Sequence, residues 1–184
     1  MCGISCRVIS QRTHTYLRGI VGIDRWVDLA IGLKIYADSR PTDCVDEDQN
    51  AVYLMLMGYV LEDLAKGIIA CRAYDETITD VIPFEERIKS LKFYLDDGSI
   101  RSLTIHDLDK LYKAKNIGFN ITDSEEKHLQ AISQYILWKG RYPVPTNING
   151  VPDSRPSFDD MNSTAKTIYD KAMAEIQKLR TSHQ

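Results

Sequence analysis

Histidine and arginine can together act on a phosphodiester without a metal. Imidazole moves a proton near neutral pH, and guanidinium stabilises the developing charge. This chain places four residues between Arg101 and His106, in Arg101-Ser102-Leu103-Thr104-Ile105-His106. A second group, Trp138, Lys139, Arg141 and Tyr142, falls within five consecutive positions. Basic and aromatic side chains at that density suit a ligand that stacks and carries phosphate. Arg141 serves two partners equally well: a phosphate or carboxylate held by its fork, or the orphan carbonyls of a helix end. Trp138, at helical spacing from Tyr135, also fits a core or interface position.

Other chemistry is thinly represented. Cys2, Cys6 and His14 lack the second ligand pair of a closed zinc site. The acidic run Asp43 to Asp48 lacks the glycine and spacing of a calcium loop and reads as a solvated loop. No glycine-rich phosphate loop, nucleophile elbow or H-E-x-x-H occurs. No metal and no cofactor is expected. Glu62 and Lys66, four apart in the favourable order, read as a surface ion pair.

The elements that must position these residues read as helices. Asp24 is an expected N-cap for a helix ending before Arg40-Pro41. A second runs from about Ala51 to Ala73 with a broad apolar stripe, as for the buried centre of a bundle. A third is expected from Pro83 to Leu95, followed by a turn at Asp96-Asp97-Gly98-Ser99. Thr104-x-x-Asp107 resembles a capping box and opens a fourth helix ending near Asn116 to Gly118, with His106 in its first turn bonded to nearby backbone. Thr122-x-x-Glu125 is a capping box for a fifth, terminated at Gly140. Four of six prolines make Arg141 to Pro156 an extended loop, and a last helix runs from about Ser157 to Arg180. No strand pattern recurs.

The 184 residues are 43% hydrophobic and 27% charged, with net charge −3. That is globular material able to bury a core without disulfides, and its four cysteines read as reduced thiols of a cytoplasmic protein. The charge balance excludes a broad duplex-DNA footprint. The longest apolar run, Ala51 to Leu61, is too short for a membrane span, and the N-terminus is too short and polar for an export signal.

Three patches together resemble the HEPN superfamily of small helical domains. Glu62 and Lys66, in "GYVLEDLAKGIIA", are similar to the glutamate-x3-lysine of the family's central helix. Thr104-Ile105-His106-Asp107-Leu108 is similar to its "THDL" turn, with an inserted isoleucine. Gly140-Arg141-Tyr142-Pro143 is similar to its "RYP" ending. The order fits, over roughly residues 50 to 145. The resemblance implies a compact helical bundle that commonly forms homodimers. Many members are metal-independent ribonucleases using arginine-x(4–6)-histidine; others bind RNA, nucleotides or protein partners. Arg101 and His106 meet that spacing, but the family motif stands at a later helix and no histidine follows Arg141 within six residues.

The sequence therefore reads as an all-α, up-and-down HEPN-like bundle of five or six helices. Residues 1–22 form an N-terminal arm, and 23–184 a single domain with a long C-terminal helix. The functional expectation is a non-catalytic binding or dimerisation module for RNA, a nucleotide or a protein. The alternatives are a metal-independent endoribonuclease using His106 and Arg101, and a purely structural homodimer.

Overall fold

A computed structural model of the chain describes residues 23–39, 47–77, 92–95, 97–139 and 156–181. Among these, helix α1 spans Ile23–Asp38 and α2 spans Glu47–Thr77. Strands β1 (Lys92–Tyr94) and β2 (Ile100–Ser102) follow. Helices α3 (Leu108–Tyr112), α4 (Asp123–Gln134) and α5 (Phe158–Thr181) complete the chain order, and a π-helical turn, Tyr135–Lys139, extends α4. The fold is all-α, with five α-helices and one small hairpin among the described residues. The expected arm at 1–22 and the loop at 141–155 lie outside them.

Helix α2 is the centre, touching α1, α3, α4, α5 and the π-helical turn. Leu54 and Met57 are buried, and from Val60 to Ala70 every residue except Asp63 is buried, which carries burial round the cylinder. That is the signature of a helix enclosed by others, since a surface helix is apolar along one stripe only. Gly58 lets the π-helical turn approach: an added Cβ would lie 2.6 Å from Ile136 Cγ1 and 2.9 Å from its Cδ1. Tyr53 ties α2 to α5, donating to Asn162 Oδ1 at 2.8 Å and meeting Phe158 edge-on at 5.9 Å.

Helix ends show where local sequence decides. Thr122 and Glu125 form the expected capping box: the Glu125 amide donates to Thr122 Oγ1 and the Thr122 amide to Glu125 Oε2. Glu125 also meets Lys171 of α5 at 2.6 Å. Burial works against its charge, yet hydrogen bonds from Lys171 and Thr122 hold its carboxyl below the ordinary value. Ser157 caps α5, accepting from the Asp160 amide. Asp24 is not the N-cap of α1; it sits in the first turn and accepts from Arg180 Nε and Nη2 at 3.0 and 2.7 Å.

Two expectations are corrected. Lys92 to Leu95 do not end a third helix. Lys92 pairs with Ser102, Phe93 with Arg101 and Tyr94 with Ile100 in an antiparallel hairpin. Three-residue strands are too short for alternation to show in sequence, and aromatic and β-branched residues favour them. Its turn is as expected: Gly98 has φ +81°, and the Ser99 amide donates to Asp97 Oδ1.

Thr104 does not open a helix either. Its amide and hydroxyl both turn back to Ser102 Oγ, at 3.3 and 3.1 Å. The fourth helix begins at Leu108, with Asp107 at the cap position but making no side-chain cap bond. It ends at Tyr112, short of Asn116. Local residues that hydrogen-bond within a turn compete with helix formation, and here they win.

Candidate functional site

The segment between β2 and α3 carries His106 onto the side of α2, where it meets Glu62. Both carboxylate oxygens lie close to His106 Nδ1, Oε1 at 3.0 Å and Oε2 at 2.9 Å. Lys66, one turn along α2, donates to Glu62 Oε1 at 2.6 Å. Glu62 and Lys66 are 5% and 6% exposed. The expected surface pair is therefore buried, and the correction has a physical cause. Every residue from Val60 to Ala70 except Asp63 is buried, so Glu62 and Lys66 go inside with the apolar residues around them. Buried charges need partners, and these two have each other.

The expected backbone role of His106 is likewise replaced. It precedes α3 by two residues and holds a carboxylate. An ionised carboxylate only accepts, so Nδ1 carries the proton donated to Glu62 and fixes the tautomer. The imidazole side chain is 46% exposed. Nε2, on the other edge of the ring, is left to accept a proton or, when protonated, to donate to an anion. A carboxylate that orients a histidine in this way is the arrangement by which enzymes and metal sites set imidazole direction.

Asp63, next to Glu62, is half-buried. Burial first, and then repulsion from Glu62, push its carboxyl up to about 6. Helix α2 thus carries two carboxylates in sequence, one buried and ion-paired and one partly desolvated.

The loop carrying His106 is anchored at its far end by Ser133 of α4. Ser133 Oγ accepts from the Leu108 amide at 2.9 Å and donates to the Leu129 carbonyl at 2.9 Å. It thereby satisfies an amide at the start of α3 that no local side chain caps. Sequence reading missed Ser133, because a serine inside a helix carries no signal of a partner 25 positions away.

Arg101 sits on exposed β2. Its guanidinium makes a 3.5 Å contact with the Ile100 carbonyl. No described hydrogen bond or ion pair joins it to His106. Its charge reaches toward the hairpin turn, where Asp97 is held below its ordinary value, first by hydrogen bonds from Ser99 and to a lesser extent by Arg101. Trp138 and Lys139 belong to the π-helical turn, but their side chains lie outside the described residues, as do Arg141 and Tyr142 entirely. The residues brought together are therefore Glu62, Lys66 and His106.

Among the described residues, no group of three His, Cys, Asp or Glu could hold a metal ion, and no helix is long and apolar enough to cross a membrane. No protein-family model, no curated protein and no solved structure matches this chain.

Proposed function

We propose that the chain is a HEPN-like helical module that holds an RNA or nucleotide phosphate at His106. The observation that carries this reading is the Glu62–His106 pair. A buried, ion-paired carboxylate fixes one nitrogen of a histidine whose ring is half in solvent. A histidine needed only for packing would have no use for an exposed edge. In this reading the outward nitrogen donates to a phosphate oxygen, and Glu62 offsets the imidazolium charge. The basic and aromatic residues Trp138, Lys139, Arg141 and Tyr142 are the sequence's other candidates for contact with such a ligand.

The same geometry favours a second reading, a metal-independent endoribonuclease. A carboxylate-oriented imidazole can take a proton from an attacking ribose hydroxyl, as general base. Arg101 would not be its partner in the described arrangement.

One experiment separates the readings. A fluorescently labelled single-stranded RNA is titrated with the full chain in EDTA, following anisotropy and the length of the RNA. Binding with the RNA intact, weakened about tenfold in His106→Ala, supports the module. Cleavage lost in His106→Ala and retained in Arg101→Ala supports the enzyme. Absence of both binding and cleavage sinks the proposal.

A further inference from the structure

Between the end of α3 and the start of α4 the chain wraps a cavity of about 470 Å³. That is within the ~300–1,000 Å³ of small-molecule sites. Tyr112, Ile117, Phe119 and Ile121 supply its apolar wall. The Tyr112 and Phe119 rings stand 5.8 Å apart, inclined at 44°. The Tyr112 hydroxyl donates to the Leu61 carbonyl at 2.9 Å, so Tyr112 contributes a ring and no free polar group.

Two lysines line the cavity, and they differ. Lys113 is held by both Glu126 oxygens, at 2.9 and 3.0 Å. Lys115 is exposed and has no carboxylate partner among the described residues. In the same wall, the amides of Gly118, Phe119, Asn120 and Ile121 have no acceptor among the described residues. Gly118 has φ +92°. Turns that pass through the left-handed region are the form in which successive amides collect an anion.

The wall is fixed from behind. Arg72 of α2 donates to the Asn116 carbonyl at 2.8 Å and pairs with Glu175 of α5. Its guanidinium occupies the side of Gly118 where a Cβ would stand. Lys171, itself held by Glu125 at 2.6 Å, lies 3.5 Å from the Asn120 carbonyl. A loop tied to two helices has little freedom left to lose when a ligand arrives.

We infer that this cavity binds a small organic monocarboxylate with an aromatic or branched apolar body. The carboxylate takes Lys115 and the loop amides, and the body lies against Ile117, Phe119 and Ile121. The charge count selects a carboxylate over a phosphate. Glu126, Glu125 and Glu175 already neutralise Lys113, Lys171 and Arg72, which leaves Lys115 for a single negative charge. No residue of this cavity belongs to the Glu62–His106 pair, so the inference survives the failure of the ligand reading there.

Proton–nitrogen NMR spectra of the full labelled chain, titrated with benzoate, benzamide and inorganic phosphate, test it. Benzoate should shift the amides of Gly118 to Ile121 saturably, with a dissociation constant of about 1 mM or tighter. Benzamide, of the same shape without the charge, should bind about fivefold more weakly or worse, and so should phosphate. Lys115→Gln, an exposed change, should weaken benzoate by a similar factor while leaving the amide spectrum of α2 unmoved. Absence of saturable shifts up to about 20 mM benzoate would overturn the inference. Binding indifferent to Lys115→Gln, or equal for benzamide, would overturn the anion site. Phosphate binding tighter than benzoate would overturn the choice of carboxylate. Shifts confined to the amides around His106 would place the anion there and overturn the cavity.

Discussion

Glu62 and His106 lie 44 positions apart and meet through both carboxylate oxygens, at 2.9 and 3.0 Å from Nδ1. The same carboxylate takes the Lys66 ammonium at 2.6 Å. One buried side chain therefore fixes a loop histidine and neutralises a buried cation. Glu62→Ala removes both functions and leaves Lys66 charged in an apolar setting. The expected loss is ~3–5 kcal/mol, read from urea unfolding. Glu62→Leu combined with Lys66→Met should recover most of that loss, because apolar residues of similar volume replace a buried pair at little cost. A double variant as unstable as Glu62→Ala would show that the pair does more than satisfy itself.

Asp63 gives a pH signature of opposite sign to that of a salt-bridged carboxylate. Its folded value, about 6, stands above an ordinary value of 3.8. Between these values the folded state binds more protons than the unfolded state, so this group makes stability fall as pH rises. Its cost is absent below about pH 4 and fully present above about pH 6. Because the group is partly exposed, solvent screening reduces the cost to roughly 1 kcal/mol. Asp63→Asn should accordingly stabilise the protein by about that amount at pH 7 and leave it unchanged at pH 4. Equal effects at the two pH values would refute the assignment.

What could be read from sequence divides along the reach of the interactions. The Thr122–Glu125 box was legible because both partners sit three residues apart and nothing distant competes. The parallel reading at Thr104 and Asp107 failed because Ser102 captured Thr104, a turn preference that the capping pattern does not contain. Glu62 and Lys66 match an exposed pair in spacing alone. Their burial follows from the apolar-rich stretch Val60 to Ala70 in which they stand, a signal that was present in the sequence and outweighs the spacing. The contact between Glu62 and His106 was not legible, since it depends on how the hairpin delivers a loop to α2. The strands escaped notice for want of length.

Ser133 should matter more than its type suggests. It is 3% exposed, and its hydroxyl is the acceptor for the Leu108 amide. Ser133→Ala leaves that buried amide without its acceptor, at a cost of about 1–3 kcal/mol. Native-state hydrogen exchange should locate the damage: the Leu108 amide should lose protection while amides in the middle of α5 change only with global stability. Unaltered protection at Leu108 would mean that water or backbone replaces the serine.

Gly58 sets how closely the π-helical turn lies against α2. A methyl group at that position would stand 2.6 Å from Ile136 Cγ1, and within 3.3 Å of Ile132 Cγ2. Alanine normally favours a helix over glycine by ~1 kcal/mol, so a helix free of neighbours would gain from the change. Here overpacking should reverse the sign, and Gly58→Ala should destabilise by ~1–3 kcal/mol in thermal or urea unfolding. The contact is tested by a double-mutant cycle with Ile136→Ala, which removes the two atoms that collide. In the wild-type background Ile136→Ala should cost ~2–5 kcal/mol, as a buried large-to-small change. In the Gly58→Ala background it should cost at least ~1 kcal/mol less, because the new methyl occupies part of the space it vacates. Additive costs would mean that the π-helical turn shifts to accept the methyl.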